Sequence, residues 1–313
     1  MVELDSLEVT VVDTADEVAL GRWLAVRNIV DPRPLTLAGF RAELVAATVH
    51  LELLAASDGV DVAAGGCAWG TISAESGTVF LEAWVTPGVR RCGIGSLLMD
   101  RCVAFAREHG MVIGRATAVD GDAGALAFAD HYGLKPVGWG QLGHLHLTPT
   151  HVAQQTAPRP DGVQITSLAD RPDLDRAVYD LDALVQPEVP TLALEPTPSF
   201  PAWRAGTVDD AGFLAELSLV ALRDDHVVGS IVVYDNGDRM AFIGMTAVDP
   251  AARRQGIARA LKVELAGRAA RAGWERIETF NDGTNERMRA LNANLGYVYQ
   301  PRMVMLKGSF RPD

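Results

Sequence analysis

The sequence predicts an α/β protein built from two similar domains in tandem. Three observations carry that prediction. At 313 residues the chain is about twice the usual domain length. Val85-Thr86-Pro87 recurs as Val248-Asp249-Pro250, an offset of 163 positions. Within each half, short apolar runs of strand character alternate with stretches of helical spacing.

The same offset carries Arg90-Arg91-Cys92-Gly93-Ile94-Gly95 onto Arg253-Arg254-Gln255-Gly256-Ile257-Ala258, and Gly66, Gly110 and Gly133 onto Gly229, Gly273 and Gly296. Landmarks held in one ungapped register mark a duplication rather than chance. Toward the N-terminus of each half the register drifts, and the Pro-rich stretch from Gln186 to Trp203 fits an insertion in the second. Domains are expected at 1–150 and 163–313, joined by a polar, Pro-bearing linker at 151–162.

Each half opens on a β-branched run, Leu7 to Val12 or Val163 to Leu168, which predicts a strand. Ala15 to Val30 and Asp173 to Val185 follow with helical spacing. Three strands come next, Leu51 to Ala56, Gly65 to Ile72 and Thr78 to Val85, mirrored by Leu217 to Leu222, Val227 to Tyr234 and Met240 to Val248. After a Gly-containing turn, Ser96 to His109 and Arg259 to Ala272 predict helices. A short strand (Met111 to Ala118; Arg276 to Phe280), a helix (Ala123 to Tyr132; Asn285 to Leu295) and a terminal strand pair complete each half.

Composition excludes several classes. With 48% apolar and 22% charged residues the chain is neither collagenous nor disordered. A net charge of −12, with neither half basic, argues against electrostatic binding to nucleic acid or anionic membrane. Three cysteines without a CxxC pair favour neither structural zinc nor a disulfide framework. No apolar run reaches the roughly 18 residues of a membrane helix, and Met1 to Asp5 lacks a basic signal-peptide start, so a cytoplasmic location is expected. His144 and His146 alternate on a predicted strand; without further ligands they predict a strand surface rather than a metal site.

The segment that carries chemistry is the strand ending at Val85 or Val248, the Arg- and Gly-bearing turn, and the helix that follows. A helix start leaves backbone N–H groups unpaired and carries partial positive charge. Glycine lets backbone approach an anion closely, and flanking Arg adds charge-assisted hydrogen bonds. A phosphate or pyrophosphate is therefore expected at each turn, against the alternative of a plain strand–helix turn with surface arginines. The turn is neither a Walker loop, for lack of its Lys, nor a dinucleotide fingerprint, for lack of its glycines.

The pattern V-x-P-x-x-R-x-x-G-[IV]-[GA] between a strand and an apolar helix resembles the acetyl-CoA-binding motif of the GCN5-related N-acetyltransferases (GNAT). Thr279-Phe280-Asn281, Asn285, Met288, Asn292 and Leu295-Gly296-Tyr297 are similar to that family's late signature, with Asp122, Ala125, Phe128 and Gly133-Leu134 as first-half counterparts. The resemblance implies two GNAT-like domains, each a mixed, splayed, mostly antiparallel sheet flanked by helices. It implies acetyl-CoA as acyl donor, with its pyrophosphate on Arg90, Arg91, Gly93, Ile94, Gly95 and Ser96, or on Arg253, Arg254, Gly256, Ile257, Ala258 and Arg259. It places the Val85 or Val248 amide near the thioester carbonyl and Asn281 and Asn285 near the cofactor; the two asparagines could equally order the turn before the late helix.

The implied reaction is direct acetyl transfer to a primary amine of a small-molecule acceptor, with no metal. Glu82 is the candidate general base, or else a solvent-facing strand carboxylate; its second-half counterpart is Met245. The family's usual thiolate-protonating Tyr is replaced by Ala129 and Asn292. The first half, which keeps Glu82 and Gly95, is favoured for chemistry; the second, with its fuller Asn signature, either binds the cofactor as well or is degenerate. The halves are expected to pair within one monomer as a pseudo-dimer. Acyl-CoA binding without catalysis, as a sensor, structural or protein-interaction module, is the rival reading.

Overall fold

The computed structural model describes residues 8–31, 36–37, 40–41, 49–57, 62–71, 77–149, 159–189 and 197–310. Most of the expected linker, 151–158, and part of the Pro-rich stretch, 190–196, lie outside them. Two compact units divide the chain between Trp139 and Gly140 and again between Gln300 and Pro301.

Unit one contains β1 (Glu8–Val11), α1 (Glu17–Val30), β2 (Val49–Ser57), β3 (Val62–Thr71), β4 (Thr78–Val85), α2 (Ile94–Glu108), β5 (Ile113–Val119) and α3 (Ala123–His131). Its sheet runs β1-β2-β3-β4-β5 and is completed by β13 (Met303–Ser309), the last strand of the chain, antiparallel to β5. Only β4 and β5 are parallel, and they pair solely over Thr78–Phe80 and Ile113–Arg115. From Leu81 onward the two strands part, which is the splay.

Unit two contains β7 (Val163–Ser167), α4 (Asp175–Val185), α5 (Phe200–Ala205), β8 (Leu219–Arg223), β9 (His226–Asp235), β10 (Met240–Val248), α6 (Ile257–Arg271), β11 (Arg276–Asp282) and α7 (Glu286–Asn294). Its sheet, β7-β8-β9-β10-β11, is completed by β6 (Lys135–His146) antiparallel to β11, and the short β12 (Val298–Tyr299) also pairs with β6. Again one pair is parallel: β10 and β11 bond over Met240–Ile243 and Arg276–Thr279, then separate. A bulge between Ile243 and Met245 interrupts the β10–β9 ladder at the point of separation, whereas β4 pairs with β3 in unbroken register through Val85.

Helices cover both faces of each sheet, which explains the apolar continuity of strands such as β8. Leu219 and Ala221 pack with Ile257, Leu261 and Leu265 of α6, while Val220 and Leu222 pack with Val178 of α4 and Trp203 of α5. Glycine makes the close approach possible at Gly229, where a Cβ would stand 2.7 Å from Ile257 Cγ2.

The Pro-rich stretch, for which the sequence predicts only an insertion, holds α5. Ser199 caps it by accepting from Ala202 N, and Pro201 stands in its first turn, where a missing N–H costs nothing.

Candidate functional site

The two Arg–Gly turns have one geometry. Each strand runs into a one-turn 3-10 helix, Pro87–Val89 or Pro250–Ala252, and then into two left-handed residues. These are Arg91 (φ 65°) with Gly93 (φ 86°), and Arg254 (φ 63°) with Gly256 (φ 85°). Arg90 Nε donates to Val85 O at 2.9 Å, and Arg253 Nε donates to Val248 O at 3.2 Å. This arginine therefore braces the turn, while Arg91 and Arg254 are exposed.

The helix starts are left open. Asp16, Asp122 and Asn285 cap α1, α3 and α7 through their side chains, but α2 and α6 begin on Gly93 and Gly256, which have none to offer. The first amides, Ile94 to Ser96 and Ile257 to Arg259, have no intrahelical acceptor and remain available to an anion. Replacing Gly256 by Ala should cost about 1–2 kcal/mol of stability, since a Cβ disfavours left-handed backbone. Chemical denaturation of the pair of proteins measures it, with Gly124→Ala in the α3 first turn as a helical control.

Backbone direction aims one further donor at each splay. Thr86 N donates to Ala63 O on β3, and Asp249 N donates to Val228 O on β9. N–H groups alternate sides along a strand, so those of Val85 and Val248 point the other way, toward the strand that has parted.

The units differ in the space behind this frame. In unit two a cleft of about 600 Å³ is lined by Val248, Arg254, Ala258, Arg259, Asn285 and Leu291, among others. In unit one a smaller cavity, about 180 Å³, is lined by Glu82, Trp84, Arg90, Asp122, Phe128 and Tyr132 among others, and Arg91 to Ser96 are not in its wall. Ligand sites typically span about 300–1,000 Å³, and the unit-two cleft falls within that range.

Two aromatic side chains account for the narrowing. The Phe128 ring lies 3.6 Å from where a Cβ on Gly95 would stand and 5.2 Å, edge on, from Tyr132. Tyr132 is tied to α2, its hydroxyl bonding to Asp100 Oδ1 at 2.8 Å and Ser96 O at 3.1 Å. Burial, with the Asp100 bond, pushes its pKa up. At the offset of 163 the unit-two residues are Leu291 and Leu295, which carry no ring.

The remaining predicted residues fall as follows. Glu82 lines the unit-one cavity beside Trp84. Asn285 lines the unit-two cleft while its Oδ1 accepts from Met288 N. Asn281 is buried, its Oδ1 accepting from Asn292 Nδ2 at 2.7 Å and from the Tyr299 hydroxyl at 2.9 Å, so the side chain belongs to an internal network. His144 Nδ1 lies 2.6 Å from Glu278 Oε1 across the β6–β11 ladder. Among the described residues no group of three or more His, Cys, Asp or Glu is placed to hold a metal, and no helix is long and apolar enough to cross a membrane.

Three groups escape the sequence reading. Lys262 of α6 is fully buried, with its Nζ lacking a hydrogen-bond partner and standing 5.4 Å over the Tyr297 ring. Burial alone pulls its pKa down to about 7. Asp182, on the apolar stripe of α4, accepts from Trp203 Nε1 at 3.2 Å, and burial pushes its pKa up to about 7. Arg223 reaches Gln255 at the foot of the second Arg–Gly turn. The repeat held the signal for the first, because the paired residue of Lys262 is Met99, a core position.

A family model described as Acetyltransferase (GNAT) family matches residues 30–134 and 179–297. No curated protein matches the chain. Among solved structures, a GCN5-related N-acetyltransferase from Sphaerobacter thermophilus superposes with TM-score 0.77 at 21% identity, covering 99% of this chain and 98% of that one. A tandem GNAT protein from the clavulanic acid biosynthesis pathway gives TM-score 0.74 at 21% identity, with 98% and 99% covered. The N-myristoyltransferase of Saccharomyces cerevisiae, with bound myristoyl-CoA, gives 0.63 at 12%, with 100% and 85% covered. At such identities these likenesses concern the fold.

Proposed function

The chain belongs to the GNAT acetyltransferase family, whose chemistry is acyl transfer from acyl-CoA, and from that premise we propose that it is an N-acetyltransferase whose coenzyme site lies in unit two. The observation that carries this is the 600 Å³ cleft, which brings the turn, the end of β10 and the start of α7 around one space. The residues there fit a coenzyme A thioester. Open helix amides from Ile257 to Arg259 and the Arg254 and Arg259 guanidiniums, which form no ion pair among the described residues, suit a pyrophosphate.

The coenzyme supplies an activated acyl group as its thioester. The chain's part is to hold and polarise it. The Val248 N–H, facing the splay, is placed to donate to a carbonyl oxygen as negative charge develops there, an interaction that can contribute about 3 kcal/mol to the barrier. The apolar cleft walls, Ala247, Ile257 and Leu291, keep water from competing for that donor. Arg253 stays committed to Val248 O and to Glu188, 2.6 Å away, so it fixes the turn rather than carrying charge to the ligand. The proposed acceptor is a small-molecule primary amine; a chain of net charge −12 favours a cationic one.

A second reading rests on Glu82, which faces the narrow unit-one cavity and has no carboxylate counterpart on β10. In that reading unit one catalyses and Glu82 takes the amine's proton. Calorimetry with acetyl-CoA tests the coenzyme reading, since at least one site per chain is expected and none would overturn it; loss of binding in Arg254→Glu rather than in Arg91→Glu assigns that site to unit two. A primary-amine panel then tests Glu82→Gln. An unchanged pH–rate profile is expected, and loss of the acid limb would move the chemistry to unit one.

A further inference from the structure

A second opening of unit two, about 720 Å³ and shallow, lies beside the same α6 start. Gly256 and Arg259 line both this opening and the 600 Å³ cleft. Its other walls come from Arg159, Pro160, Asp161, Arg223 and Gln255. In a chain of net charge −12, three guanidiniums around one opening are a local reversal of sign.

Their partners leave charge to spare. Arg223 Nη2 bonds the neutral Gln255 Oε1 at 2.8 Å, and Arg259 forms no ion pair among the described residues. Arg159 is 3.4 Å from Glu264, with its side chain half exposed, and Asp161 is the one carboxylate among the lining residues. The opening is formed in part by the residues that lead into β7: Pro160 Cγ stands 4.0 Å from where a Cβ on Gly256 would be. In unit one the place of Arg259 is taken by Ser96.

A helix start with a space on each side matches a ligand that carries its diphosphate in the middle. Resting on the coenzyme reading above, we propose that Arg159 and Arg223, beside the Arg259 that the two openings share, form a site for the 3′-phosphate on the adenosine of coenzyme A, on the far side of the turn from the thioester cleft. A phosphate monoester carries close to two negative charges at neutral pH, and Arg presents a planar fork suited to its oxygens. The consequence is selectivity. Unit two distinguishes coenzyme A from carriers that share its pantetheine and diphosphate but lack the third phosphate.

The test is calorimetry on the full chain at fixed ionic strength, with coenzyme A and 3′-dephospho-coenzyme A as probes. The wild type should bind coenzyme A at least ten-fold more tightly than the dephospho form. In Arg159→Ala/Arg223→Ala, which alters two solvent-accessible side chains, that ratio should fall to about one, and adenosine 3′,5′-bisphosphate should lose its affinity in parallel. Equal wild-type affinities, or a preference that survives the double substitution, overturns the site while leaving the coenzyme reading intact. Binding of neither probe overturns both.

Discussion

Arg254→Glu should weaken acetyl-CoA binding by about a hundred-fold, close to 3 kcal/mol. Arg254 stands in the left-handed turn at φ 63°, exposed, on the wall of the 600 Å³ cleft, with no ion pair among the described residues to absorb the change. Removing one charge-assisted hydrogen bond accounts for roughly 1.5–3 kcal/mol, and a carboxylate facing a diphosphate adds repulsion. Arg91→Glu is the matched control, because Arg91 has the same backbone conformation at φ 65° in the equivalent turn of unit one. The two substitutions carry equal backbone strain and equal charge change. Calorimetry should therefore show loss in Arg254→Glu and near-wild-type affinity in Arg91→Glu; the reverse order would place the coenzyme in unit one.

Lys262→Met should stabilise the protein by roughly 2–4 kcal/mol at neutral pH. The lysine is 2% exposed with an unpartnered Nζ, and the Tyr297 hydroxyl beside it is likewise buried without a partner. Unit one carries Met99, 4% exposed, at the same point of its helix, so the substituted shape is one this fold already accepts. The pH dependence follows from the direction of the shift. The folded pKa of about 7 lies below the unfolded value, so the unfolded chain binds more protons through the window above pH 7. Wild-type stability should therefore rise with pH from about 7 to about 10 relative to Lys262→Met. Denaturant titrations at several pH values read this directly, and parallel curves would mean that the amine is hydrated or paired in solution.

Most of the element order, the splay-bearing fold and both Arg–Gly turns were legible in the sequence, because each depends on local signals; the strand pair expected at the end of the first half is instead the single strand β6, Lys135–His146. Strand runs, helical spacing and glycines at left-handed positions are written within a few residues of where they act. Several site features depend instead on bulk or on distant partners. Gly95 and Glu82 favour the first half when read along the chain, yet the cavity there is narrowed by Phe128 and Tyr132, whose effect depends on how α3 sits against α2. Arg159 and Arg223 meet Arg259 only once β7 and β8 have paired. Which sheet each last strand completes was also hidden. The repeat aligns the segments that become β6 and β13 with one another, and nothing in either names its neighbour.

That arrangement has a bearing on how the protein is made. Unit two has all of its strands once residue 300 has been synthesised, whereas the sheet of unit one lacks its final member until residues 303–309 have left the ribosome. Vectorial synthesis ordinarily lets the N-terminal portion of a chain mature first. Here the portion begun first is finished last, and β5 waits with one edge unsatisfied while residues 120–302 are synthesised, in need of protection from neighbouring nascent chains.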